Sequence, residues 1–96
     1  MKKKEIQSNL ENAYSLIQQH NYEEALSILD SLIDNLKQSK YDEYYTSALL
    51  FTGICCYEMG QIDKSWFSLK EGLASARKKG DPNTIGEFLH EIDLKP

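Results

Sequence analysis

Two adjacent cysteines, two histidines and a cluster of carboxylates are the residues that could make this chain a catalyst: Cys55-Cys56, His20, His90, Glu23, Glu24, Asp30 and Asp34. A thiol pair can cycle as a disulfide or hold a soft metal, a histidine can move protons, and paired carboxylates can do acid–base work. The spacing argues against each of these. Neighbouring residues on a helix point about 100° apart, so a Cys55–Cys56 disulfide would distort the backbone. No third cysteine exists, and both histidines are distant in sequence, so a metal would lack ligands. His20 stands at a turn beside Asn21 and His90 on the last helix, neither next to a nucleophile or a paired carboxylate. The four carboxylates recur at helical spacing on one polar side, which is a solvated face. The five glycines are scattered rather than gathered into a phosphate-cradling loop. The expectation is no enzymatic activity, no cofactor and no metal site, with Cys56 filling a core and Cys55 packing on a neighbouring helix.

The elements that carry these residues are all helices. Ile6, Leu10, Ala13, Leu16 and Ile17 follow the spacing of an amphipathic helix that ends near His20-Asn21. Asn21 and Glu24 have the spacing of a capping box, opening a second helix with Tyr22, Ala25, Leu26, Leu29, Leu32, Ile33 and Leu36 on its apolar stripe and fading at Gln38–Lys40. A third helix, about 42–59, is apolar nearly all round, which places it in the middle of the packing; Gly60 stops it. A fourth, about 62–79, turns Ile62, Ser65, Trp66, Leu69, Gly72, Leu73 and Ala76 inward. Gly80, Asp81 and Pro82 then spell a left-handed stop, an N-cap and a first helical position. The last helix, about 82–93, presents Ile85, Phe88, Leu89 and Ile92.

The chain also repeats itself at an offset of about 40 residues. Leu10 lies over Leu50, Ala13 over Gly53, Leu16 over Cys56, Tyr22 over Ile62, Ala25 over Ser65, Leu26 over Trp66, Leu29 over Leu69 and Ile33 over Leu73. Such a period marks a stack of supersecondary units, none of which buries its apolar face alone. Residues 5–40 form repeat one, 41–80 repeat two, and 82–93 a capping helix at the place where a third repeat would begin. With 96 residues, this is one domain. A net charge of −4 disfavours nucleic acid, and Arg77-Lys78-Lys79 fall where a helix C-terminus welcomes cations. No apolar run is long enough to span a bilayer, so membrane attachment is not expected, and a cytoplasmic location is.

Small and bulky residues at fixed places in two helical hairpins resemble the tetratricopeptide repeat (TPR) family. In repeat two these are Leu49, Thr52-Gly53, Cys56, Gly60, Ile62, Ser65, Leu69 and Gly72; in repeat one Asn9, Asn12-Ala13, Leu16, Tyr22, Ala25 and Leu29, with Leu32 where a small residue is usual. The aromatic residues of the family's first helix are replaced and its closing proline is absent at Lys37 and Arg77. The resemblance implies an all-α fold: two TPR-like antiparallel helical hairpins plus a C-terminal capping helix, in an α-α superhelix. It also implies a concave surface lined by the first helix of each repeat, with Gln7, Leu10, Tyr14, Ile17 and Gln18 facing inward from one and Ser47, Leu50, Ile54, Tyr57 and Glu58 from the other. The Lys/Asn/Arg clamp that some relatives use on a C-terminal carboxylate is replaced by apolar or acidic residues. The partner-binding groove is therefore expected from Leu10, Tyr14, Ile17, Gln18, Leu50, Ile54, Tyr57 and Glu58, suited to a helical or apolar peptide segment. The same residues could instead pack on the capping helix or on a second copy. The function expected is a protein–protein interaction module, an adaptor or scaffold; a small cytosolic chaperone is the alternative. Tyr41, Tyr44, Tyr45, Phe51 and Phe67 exceed what so small a core hides, so a homodimer is expected too.

Overall fold

The computed structural model describes residues 2–37, 42–80 and 82–94. Tyr41, the fade of the second helix at Gln38–Lys40 and the Asp81 cap lie outside the described residues. Among the described residues five helices follow one another: α1 Lys3–Gln18, α2 Tyr22–Leu36, α3 Asp42–Glu58, α4 Ile62–Lys79 and α5 Pro82–Leu94. They form two TPR-like antiparallel hairpins, α1/α2 and α3/α4, with α5 as the capping helix. No described helix is long and apolar enough to cross a membrane.

The two hairpin turns are built bond for bond alike. In the first, the amide of His20 donates to the Ile17 carbonyl at 3.0 Å and that of Asn21 to Leu16 at 2.8 Å; in the second, Gly60 donates to Tyr57 at 3.0 Å and Gln61 to Cys56 at 2.8 Å. This crossed pair satisfies carbonyls that a helix end leaves open, and it needs a left-handed residue just past the end. Gly60 supplies it at φ 79° without a Cβ penalty, whereas His20 holds the same place at φ 60°. The His20 ring answers by contacting Tyr22, with Nδ1 2.7 Å from the hydroxyl and the rings edge to face. A left-handed non-glycine residue costs about 1–2 kcal/mol, and glycine gives back part of that through chain entropy. His20→Gly is therefore expected to stabilise the protein by about 0.5–1 kcal/mol, read as a higher urea midpoint. A lower midpoint would mean that the exposed His20–Tyr22 contact outweighs the backbone.

The capping box expected at Asn21 is not formed. Asn21 heads α2 with φ −96° and ψ 68°, and its side chain makes no capping bond. Gln61 stands before α4 with almost the same angles, φ −88° and ψ 70°. The crossed turn fixes the backbone at this position and takes it out of the extended conformation from which a side chain reaches the first amides.

α3 occupies the middle, packing on α1, α2 and α4, while α5 packs on α4. One core gathers Ile6, Leu10, Ala13, Leu26, Leu29, Leu32 and Leu36 of the first hairpin with Ala48, Cys55 and Cys56 of α3. A second joins Leu50, Leu69, Ala76 and Phe88. Phe88 is fully buried over Gly72, where an added Cβ would fall 2.3 Å from the ring. Two inward expectations need correction. Ile62 keeps 41% of its surface and Leu89 39%. Tyr22, the counterpart of Ile62, packs against the first core beside α3, whereas the helix that follows the second hairpin is the shorter α5. On α5 itself, Phe88 takes the deep place and turns Leu89 to the rim.

Two of the surplus tyrosines, Tyr44 and Tyr45, have partners. Tyr44 and Tyr45 lie half-buried against the first core. Gln7 Nε2 donates to the Tyr44 hydroxyl and Tyr45 donates to Glu71 Oε1, both at 2.8 Å. Among the described members of this aromatic set, Phe67 is the one that stays mostly outside, at 68%.

Candidate functional site

Leu10 and Leu50 belong to the buried cores, so they form a floor and not walls. Ile17 is half-buried against the first core, and Ile54 against the second, on which Ile85 and Ile92 of α5 also pack. Tyr57 is half-buried, and Gln18 and Glu58 are exposed. Tyr14 is the open member, with 49% of its surface in solvent. Leu50 and Ile54 of repeat two thus share a core with side chains of α5, and the open apolar surface lies towards α1.

That surface is a shallow depression of about 310 Å³ between α1 and α3, lined by Leu10, Glu11, Tyr14, Ser47 and Phe51. Its two rings, Tyr14 and Phe51, stand 5.6 Å apart and tilted by 36°. The packing of α1 against α3 places them together, since the helices come from different hairpins. Of the eight groove residues read from the sequence, Leu10 and Tyr14 line this depression. Phe51 and Glu11 were missed. They occupy equivalent positions of the two repeats, one residue after Leu10 and Leu50, so the register that gave the floor also marked the lip. Glu11 is the single ionisable carboxylate in the lining, and no basic side chain joins it.

The groups that could do chemistry are kept apart. Cys55 and Cys56 are fully buried free thiols. Burial, followed by the neighbouring Cys56 and Asp30, pushes the Cys55 thiol up to about 12. Burial raises Cys56 as well, with Lys64 working in the opposite direction. At neutral pH both are protonated thiols, poor nucleophiles and poor metal ligands. Glu23, Glu24, Asp30 and Asp34 are all exposed on α2, and His90 is exposed on α5. Among the described residues no group of three His, Cys, Asp or Glu side chains could hold a metal ion. Tyr45 is the other strongly shifted group: burial first, then its bond to Glu71, pushes the phenol up to about 12, which keeps it a hydrogen-bond donor.

The described residues thus form a helical-repeat architecture with an apolar depression between its leading helices. Residues 11–92 match the family model for anaphase-promoting complex subunit 5, and the chain belongs to that family. No curated protein and no solved structure gives a significant match to the chain.

Proposed function

We propose that this chain is a non-enzymatic, cytoplasmic protein–protein interaction module, an adaptor that seats a helical or apolar segment of a partner between α1 and α3. The observation that carries the reading is Tyr14: a ring left half in solvent against Phe51, over the buried Leu10, in a lining with almost no polar atoms but Glu11 and Ser47. Aromatic anchors in a partly preformed hollow are what peptide grooves use to concentrate binding energy. Glu11 at the lip favours a partner segment that sets a basic residue beside its apolar anchor. The matched family is named for a subunit of a multiprotein complex, and assembly by this kind of contact suits that description. An adaptor is favoured over a chaperone because about 310 Å³ admits one or two side chains rather than a long apolar segment. The reading includes pairing with a second copy of the chain, since Phe67 keeps 68% of its surface outside the core.

Affinity capture with the wild-type chain and with Tyr14→Ala/Phe51→Ala, followed by titration with the recovered partner, tests this. The double variant is expected to bind at least about tenfold more weakly, as loss of a hot spot requires. Unchanged affinity in a variant with unchanged circular dichroism would remove the depression from the interface.

A further inference from the structure

A second surface lies on α4, which contributes nothing to the lining of the depression. Asp63, Trp66, Phe67 and Lys70 surround an open hollow of about 620 Å³. Phe67 also borders a hollow of about 500 Å³ on its other side, towards α2. It stands as an exposed ridge between two recesses. Asp63, Trp66, Phe67 and Lys70 share one stripe of α4, at the spacing of one helix face.

Their order along the stripe is self-complementary. Two α4 helices running antiparallel about a twofold axis between Trp66 and Phe67 set each Phe67 on Trp66 of the second copy. The same axis sets each Asp63 opposite Lys70 of the second copy, and the converse pair forms with no further adjustment. An isologous interface asks this of a surface: a patch that complements itself under twofold rotation. The aromatic centre supplies burial, and the flanking acid and base fix register and direction.

We infer that the Asp63–Trp66–Phe67–Lys70 stripe of α4 is a homodimer seam, occupied by the same stripe of a second copy in antiparallel orientation. This rests on the self-association named above and is independent of the peptide depression, so either can fail alone. A seam of two helical turns is smaller than a standard interface, which puts the dissociation constant on the order of 100 µM.

Sedimentation equilibrium from about 10 µM to 1 mM decides it. The wild-type chain is expected to move from the monomer mass towards twice that mass, and Phe67→Glu to stay monomeric. Asp63→Lys alone and Lys70→Asp alone are each expected to weaken the dimer about tenfold, and the two together to restore it to within about threefold. The double exchange leaves net charge unchanged, so recovery reports register and not bulk repulsion. Asp63→Lys lowers the net negative charge yet is expected to weaken association. These four side chains are exposed or half-buried, and circular dichroism checks that each variant is folded. A wild-type monomer at 1 mM would leave the stripe to a foreign chain and overturn the inference. So would a dimer indifferent to Phe67→Glu, or a folded double exchange that fails to recover.

Discussion

Phe88→Ala is expected to lower the stability of the protein by about 3–5 kcal/mol, the usual cost of emptying a fully buried aromatic site. A domain of this size holds about 5–15 kcal/mol in total, so roughly a fifth of it or more goes. In thermal unfolding this corresponds to a fall of roughly 15–25 °C. The ring is fully buried and rests where Gly72 has no side chain, so its removal leaves α4 with a hollow that no neighbour fills. Gly72→Ala probes the same contact from the opposite side. Alone it forces a Cβ to 2.3 Å from the ring and costs about 1–3 kcal/mol. In the Phe88→Ala background that methyl enters vacated space, and a coupling of about 1–2 kcal/mol is expected from the double-mutant cycle. Chemical denaturation followed by circular dichroism measures all four proteins. Additive effects would mean that Phe88 and Gly72 do not share one contact.

Leu69→Ala carries the second large effect, about 2–5 kcal/mol. Leu69 is fully buried in the second core and lies against Gly53, where an added Cβ would come within 2.6 Å of both its Cγ and its Cδ2. The same approach lets Ser65 Oγ donate to the Gly53 carbonyl at 2.7 Å. Gly53→Ala in the wild-type background sets an overpacking cost of about 1–3 kcal/mol against about 1 kcal/mol of gained helix propensity. Placed on Leu69→Ala, the same change is expected to stabilise, because the leucine that it struck is gone. A urea series on the single and double variants gives the sign. A Gly53→Ala change that destabilises equally in both backgrounds would show that the α3/α4 approach is limited by backbone and not by Leu69.

The helical class and the middle position of α3 were legible because they rest on periodicity, which side-chain identity states directly. Gly60 and Gly80 read as helix stops for the same reason, being the residues that adopt a left-handed backbone freely. His20 gives no such signal; its left-handed backbone shows only through its register with Gly60. Leu32, which departs from the small residue usual in its place, is buried in the same core as a small residue, Ala48, whose register equivalent in the next junction is the large Phe88. In the first junction the large residue, Leu32, is on α2 and the small one, Ala48, on α3; in the second the small one, Gly72, is on α4 and the large one, Phe88, on α5. One sequence position cannot reveal a volume shared between two. The Asn21–Glu24 pattern misled because a residue type suited to capping sat in a turn whose backbone does not aim it. At the candidate site, the floor residue Leu10 and the open Tyr14 followed from register. Phe51 did not, because whether a helix apolar nearly all round turns a given ring to solvent or to a neighbour depends on how α1 and α3 meet.

α5 has a consequence for growth. It sets Ile85, Phe88 and Ile92 towards the stack and turns Asn83, Gly86, Glu87, His90 and Asp93 outward. At the opposite extremity α1 shows Lys4, Glu5, Ser8, Asn12, Ser15 and Gln19 to water. Leu89 at the rim is the exposed large hydrophobic residue of α5, so a further hairpin would find little apolar surface on this outer face to stack against.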